Sequence, residues 1–465
     1  MARPATRFVC SECGHAEPKW HGRCPGCEAW NTLAEERAPA AAPGASRRGP
    51  SGARAAAPRR LADVEAEASV RIPTGIGEFD RVLGGGIVPG SLILLGGAPG
   101  IGKSTLTTQA LGRLAGAGRR VLCVSGEESA AQIRLRAERL GEHALDVPVV
   151  TETDLDTVVA TLEAERPEVC VVDSVQTLHA AQLDGAAGSV GQVREAADRL
   201  VRIAKAHAIA VILVGHVTKD GSLAGPRVLE HVVDCVLQFD GERERLYRTL
   251  RALKNRFGST SDAGVFEMRG AGLAEVPDAS AVFVGAATGA PGSAVLAAME
   301  GSRPLLVEVQ ALVSPSELEP PRRVVNGIDR NRLALVLAVL GRHAGVGLGN
   351  ADVFVNVVGG LRADEPGADL AVALAVASAA RGVPLGPEAG AGPVACFGEV
   401  GLTGELRPVG HAERRLAEAA RFGLRPVVIP DGSAGDAAPG PGVHLAATLR
   451  AALAAALPAA RRAAA

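Results

Sequence analysis

The chain has 465 residues, of which 47% are hydrophobic and 22% charged, with a formal net charge of −2 at pH 7. That length predicts about three domains, and that balance describes an ordinary soluble globular protein able to bury sizeable cores. Aromatics at 3% argue against a surface of stacked rings, no apolar run spans a bilayer and no charged-then-apolar leader opens the chain, so a cytoplasmic protein without membrane contact is expected.

Eight cysteines divide into two populations. Cys123, Cys170, Cys235 and Cys396 stand singly in apolar runs and read as small buried hydrophobes. The other four crowd into residues 1–33 as Cys10-x2-Cys13 and, ten residues later, Cys24-x2-Cys27. Two such knuckles can hold four thiolates tetrahedrally around Zn²⁺, and the metal then substitutes for a core too small to form alone. A pair of disulfides is the alternative, disfavoured in a cytosolic chain. With every position filled by protein the zinc has no open site, so its expected role is to hold a recognition module for DNA or protein. His15 and His21 read as surface residues.

Residues 34–70 read as a flexible linker. Its first part, 34–60, lacks periodicity and holds six Arg against two Glu, which suits a solvated tether or a DNA-touching arm. From Arg71 strands and helices alternate: strand 91–97, helix 103–115, strand 120–128, helix 129–140, strand 168–174, helix 191–207, and strands 209–217 and 232–239. This is an α/β sheet domain, expected over 71–280, with functional residues at the carboxyl ends of its strands. A second α/β region is expected over 281–465, with strands 303–313, 352–358, 394–400 and 425–430 and helices 329–343, 368–381 and 411–422.

"GGAPGIGKST" fits G-x4-G-K-[ST] between a strand and a helix. Gly97, Ala98, Pro99, Gly100, Ile101 and Gly102 form the loop, whose backbone N–H groups cradle phosphates. Lys103 reaches the outer phosphates, and Ser104, followed by Thr105, offers a hydroxyl to Mg²⁺. ATP and Mg²⁺ are therefore expected. Asp173, closing an apolar strand, is the natural carboxylate behind the metal. Glu127 is placed to orient or deprotonate the attacking water, with its neighbour Glu128 as the competitor.

"PTGIGEFDRVLGGGIVPGSLILLGGAPGIGKST" followed by "VSGEES" resembles the RecA superfamily of ATPases. The zinc knuckle ahead and "KNRFG" behind narrow the resemblance to the bacterial RadA (Sms) family of DNA-repair proteins, across essentially the whole chain. It implies a RecA-like P-loop domain and a DNA-dependent ATPase that processes recombination intermediates alongside RecA. It also implies a ring-shaped hexamer related to replicative helicases. Only five of the 49 basic residues are lysine, and one is Lys254, the first residue of KNRFG. By the resemblance, Lys254 and Arg256 reach a neighbouring subunit's γ-phosphate, with Asn255, Phe257 and Gly258 shaping the loop; the alternative is a basic hairpin on a solvated surface. His216 reads as a γ-phosphate sensor. Lys219 and Arg227 are expected to contact the phosphates of single-stranded or branched DNA. Ser189, Gln192 and Arg194 form a second channel candidate.

"GEVGLTGELRPVGHAERRLAEAARFGLRPVVIP" resembles the Lon proteolytic domain. A Lon-type enzyme needs a serine activated by a lysine. Those positions fall on Ala368 and Glu413, and no lysine follows Lys254, so proteolysis is rejected. Arg407, Arg414 and Arg415 are candidates for a DNA-facing surface or a solvated helix face. The leading expectation is an ATP-driven motor on DNA; a RecA-superfamily signalling ATPase acting on protein partners is the alternative.

Overall fold

In this computed structural model, description covers residues 6–10, 15–26, 28, 30, 32–37, 60, 71–141, 143–183, 185–217, 223–224, 228–241, 246–285, 287–360, 362–386, 393–433 and 440–458. At the start, β1 (Thr6–Cys10) pairs antiparallel with β2 (Ala16–Glu17) and β3 (Leu33–Arg37). Cys10, Cys24 and Leu33 are buried together there.

The described chain forms two units: residues up to 240 with 250–260 and 268–275, and residues 241–249, 261–267 and 276–465. The second holds the expected 281–465 together with 276–280 and two earlier stretches, 241–249 and 261–267.

In the first unit α1 (Gly77–Leu83) precedes β4 (Leu92–Gly97), α2 (Lys103–Gly116), β5 (Val121–Ser125), α3 (Ala130–Leu140), β6 (Val149–Thr151), α4 (Leu155–Glu165), β7 (Val169–Asp173), α5 (Val190–His207) and β8 (Ala210–Val214). A short ribbon, β9 (His216–Val217) with β10 (Leu223–Ala224), is followed by α6 (Val228–Val232), β11 (Cys235–Asp240), β12 (Tyr247–Asn255), of which this unit holds the residues from Leu250, β13 (Ala263–Arg269), of which it holds Met268 and Arg269, and β14 (Gly272–Glu275). The strand order is β14-β13-β12-β11-β4-β8-β7-β5-β6. From β11 to β6 every pairing is parallel, which aligns all six carboxyl ends on one edge. β4 lies in the middle, and all six of its residues are buried. Both faces of such a strand are covered, so it reads as an unbroken apolar run.

Two differences from expectation have a common cause. The run 228–234 begins as a helix and strand β11 starts only at Cys235, while β8 stops at Val214. Short apolar runs do not distinguish strand from buried helix by pattern alone.

In the second unit α7 (Ala279–Val284), β15 (Ser293–Glu300), β16 (Arg303–Pro315), β17 (Arg323–Asn326), α8 (Arg330–Ala344), β18 (Ala351–Val357) and α9 (Asp369–Arg381) lead into β19 (Ala395–Cys396). A ribbon of β20 (Glu399–Val400) and β21 (Leu406–Arg407), then α10 (Ala412–Arg421), β22 (Val427–Pro430), β23 (Val443–Ala446) and α11 (Leu449–Ala456) complete it. The mixed sheet runs β17-β18-β16-β15-β19-β22-β23. Helix α9 is apolar on all sides, with ten of its 13 residues buried, as a helix enclosed by core must be. The expected strand 394–400 is split at Phe397–Gly398, where Gly398 adopts φ 157° and its N–H turns to Gly367 O.

Candidate functional site

The phosphate loop leaves the end of β4 and enters α2 through Gly102, whose φ of +117° favours glycine. A Cβ there would also meet Met268 Cε at 2.8 Å. Lys103 is buried, and its Nζ donates to the Gly97 and Ala98 carbonyls at 2.8 and 3.1 Å. Burial pulls the Lys103 pKa down, against the opposing pull of the Asp173 and Glu127 carboxylates. Asp173, at the end of β7, accepts a hydrogen bond from the Ser104 hydroxyl. Burial pushes the Asp173 carboxyl up, and that hydrogen bond opposes the rise.

The two neighbouring glutamates part company beyond β5. Glu127 is exposed and accepts a hydrogen bond from the Ser174 hydroxyl, which is fully buried. Glu128 instead pairs with Arg136 of α3, at 2.7 Å. Glu127 is thus oriented but accessible to a water, while Glu128 is engaged in an ion pair. Gly126, just ahead of them, has no room for a side chain: a Cβ there would fall 2.0 Å from Thr177 Oγ1, and Thr177 in turn donates to Ser174 O at 2.7 Å. Ser174 was not singled out by sequence reasoning. The signal available was its place immediately after Asp173, which brings it beside β5 in the parallel pairing of Ser125 with Asp173.

The loop therefore meets a hydroxyl, a strand-end carboxylate and the exposed, Ser174-bonded Glu127 on one edge of the sheet. Oxygen donors of this kind suit Mg²⁺, and loop amides with an ammonium suit phosphate.

KNRFG lies elsewhere. Lys254 and Asn255 end β12, and Arg256 N donates to Asp234 O, at the start of β11. Leu92, the first residue of β4, donates to Asp234 Oδ2 at 3.1 Å. Five residue steps of strand lead from Leu92 to Gly97, about 17 Å at ~3.3 Å per residue. KNRFG is therefore at the opposite edge from this chain's own phosphate loop. Lys254 Nζ donates to Glu230 O and Val233 O at 2.7 and 2.8 Å. Arg256 is half exposed and meets Asp234 Oδ1 at 3.1 Å. Asn255 reaches Val82 O at 3.3 Å, Arg71 donates to Phe257 O, and a Cβ on Gly258 would meet Gly84 Cα at 3.4 Å.

Of the DNA candidates, Arg194 is exposed near the start of α5. Gln192 is not a channel residue: it is buried, and its amide bonds the main chain of Ala180 at 2.7 and 3.2 Å. The reason is register, since positions 192, 193, 196 and 197 share the core face of α5. His216 is placed by its backbone in β9, but its side chain, with Lys219 and Arg227, lies outside the described residues.

Cys10 and Cys24 are buried; Cys10 Sγ lies 3.2 Å from Thr32 Oγ1, and Gly26 N donates to Cys24 Sγ at 3.3 Å. An N–H directed at sulfur suits a thiolate ligand. Cys13 and Cys27 lie outside the described residues.

In the second unit Ala368 is buried just ahead of α9, and Glu413 is exposed on α10. Arg415 is not a DNA-facing residue. Only 2% exposed, it bonds Glu365 and the carbonyls of Ala297 and Gly410, with its guanidinium 5.3 Å above the Phe397 ring. A Cβ on Gly367, beside Ala368, would lie 3.2 Å from Arg415 Nη1, so this ion pair fills the space there. Arg407 and Arg414 are exposed, the first paired with Glu405 and the second donating to Ser302 O.

The parallel sheet, the phosphate loop on its central strand and the acidic strand ends define a P-loop ATPase of the RecA-like class. The AAA domain model matches residues 58–222, a rubredoxin metal binding domain 8–35 and the Lon protease C-terminal proteolytic domain 346–450. A DNA repair protein RadA of Bacillus subtilis (strain 168) is 46% identical over 92% of this chain and 93% of its own. Those of Pseudomonas aeruginosa and Escherichia coli (strain K12) are 50% and 48% identical, over 94% and 92% of this chain and 96% and 93% of their own lengths. A solved RadB recombinase, 25% identical, covers 44% of this chain and 98% of its own with a TM-score of 0.36. The chain belongs to the RadA family of DNA repair proteins. Among the described residues no helix is long and apolar enough to cross a membrane.

Proposed function

We propose that this protein is a DNA-dependent ATPase that works as a ring-shaped homo-hexamer and drives branch migration of recombination intermediates alongside RecA. Family membership supports the repair role. The carrying observation is the convergence of Lys103, Ser104, Asp173 and Glu127 on one sheet edge, with Glu127 held by Ser174 yet open to solvent. Lys103 and the loop amides bind the outer phosphates. Ser104 and Asp173 hold Mg²⁺, which supplies charge neutralisation when bound. Glu127 takes the proton of the attacking water. His216 senses the γ-phosphate, while Lys219, Arg227 and Arg194 contact DNA phosphates.

Arg256, from the motif that Lys254 opens, completes the cleft of the next protomer. The supporting observation is distance: about 17 Å of β4 keeps KNRFG from its own phosphates, so a cation from that motif reaches a nucleotide only across a subunit boundary. Zn²⁺ is held by Cys10, Cys13, Cys24 and Cys27 in a structural role. The Lon-like unit, with Ala368 and Glu413 at the dyad positions, has no proteolytic activity and serves assembly.

The test is ATP turnover with and without single-stranded DNA at low salt, combined with the mass of the assembly. DNA-stimulated turnover by a hexamer is expected; unstimulated turnover by a monomer refutes the motor reading.

A further inference from the structure

KNRFG ties together the base of the ATPase sheet. Lys254 Nζ lies within 2.8 Å of two carbonyl oxygens, those of Glu230 and Val233, around the end of α6. Helix-end carbonyls have no onward turn to accept from, so an ammonium there satisfies groups otherwise left to water. The next residue, Asp234, binds in three directions. Its Oδ1 meets Arg256 Nη1 at 3.1 Å, its Oδ2 accepts from Leu92 N at 3.1 Å, and its N–H donates to Leu92 O at 2.9 Å. Lys254 and Asp234 thus grip one short junction from both sides.

We propose that Lys254 is a positioning residue for the ATPase: its ammonium closes the end of α6 and holds the α6–β11 junction against the base of β4. Since β4 carries the phosphate loop at its far end, the clamp sets the footing of the catalytic strand. Arg256, half exposed and held by a single ion pair, is then the cation of the motif that can be lent to a neighbour. This division rests on the nucleotide reading above only in taking β4 as the phosphate-loop strand.

The chemistry explains the choice of side chain. Two carbonyls converging on one nitrogen in this confined junction suit a compact ammonium with rotatable N–H groups, whereas a bulkier guanidinium on the same backbone position would have to bring its fixed plane into line with both. In a chain with five lysines among 49 basic residues, Lys254 is therefore not a generic positive charge.

Lys254→Arg separates the two roles. An arginine keeps the charge, so a lysine acting by charge alone is replaced well; a lysine bridging two carbonyls is not. Hydrogen exchange is measured on the full-length, nucleotide-free protein. Peptides covering 228–236 and Leu92 are expected to exchange at least tenfold faster in both Lys254→Arg and Lys254→Ala, with α2 and α4 unchanged as internal references. Lys254→Met, which keeps the aliphatic stem, serves if Lys254→Ala does not fold. Unchanged protection of 228–236 in the Ala or Met variant, or full protection and turnover in Lys254→Arg, overturns the proposal. Because no nucleotide is present, exchange tests the clamp alone, whereas loss of the ATPase reading shows in the wild-type protein's turnover.

Discussion

Replacing Ser174 by Ala tests how Glu127 is held. The hydroxyl is fully buried and donates to an exposed carboxylate, so its loss leaves no buried charge behind, and water can reach Glu127 in its place. A hydrogen bond to a charged group contributes roughly 1.5–3 kcal/mol net, and solvent replacement favours the low end. If about 1.4 kcal/mol of that orientation is felt in the transition state, turnover falls about tenfold. Phosphate binding uses other groups, Lys103 and the loop amides, so the KM for ATP stays near the wild-type value. Steady-state hydrolysis and fluorescent-nucleotide binding measure the two quantities. A Ser174→Ala protein with unchanged kcat, or one whose loss lies wholly in KM, refutes the orienting role. Thermal unfolding within a few degrees of wild type guards against a folding explanation.

Glu127→Gln is expected to abolish hydrolysis with ATP binding intact, while Glu128→Gln, which loses only the Arg136 pair, retains turnover within about tenfold, the equivalent of ~1.4 kcal/mol; single-turnover assays distinguish them. Burial holds the Lys103 pKa below its ordinary 10.5, and bound phosphates raise it. ATP binding therefore takes up protons at pH values between the free and bound pKa, and affinity falls as pH rises through the bound value. Calorimetry in buffers of different ionisation enthalpy reads that uptake, which vanishes in Lys103→Met. Arg415→Ala strands the Glu365 carboxylate in a largely buried setting and is expected to destabilise the second unit by about 3–5 kcal/mol. The salt dependence of DNA binding, measured by anisotropy, stays unchanged. Zinc chelation is expected to unfold only the N-terminal module, since structural zinc contributes about 10–16 kcal/mol to isolated fingers; circular dichroism and retained ATPase activity check this.

The spacing of the two Cys pairs, the phosphate-loop motif and Asp173 at the end of an apolar strand were all legible in the sequence. These are local signals: fixed offsets along the chain, or an unbroken apolar run that only a strand covered on both faces tolerates. The missing lysine after Lys254 was equally a matter of reading. What lay beyond the sequence was partnership over long separations. Ser174 finds Glu127 across 47 residues because β5 and β7 are neighbours in the sheet, although β6 and α4 intervene in the chain. Lys254 spends its donors on carbonyls 24 and 21 residues earlier, and backbone carbonyls carry no residue-type signature. Arg415 looked like one more solvated charge on a basic helix, yet the turn of α10 points it inward to Glu365 and Phe397. The sequence alone determined which chemical groups are present and which strand ends carry them. Only the packed sheet decided which of them meet, because strand order and helix register, not proximity along the chain, set the distances over which charges and hydrogen bonds act.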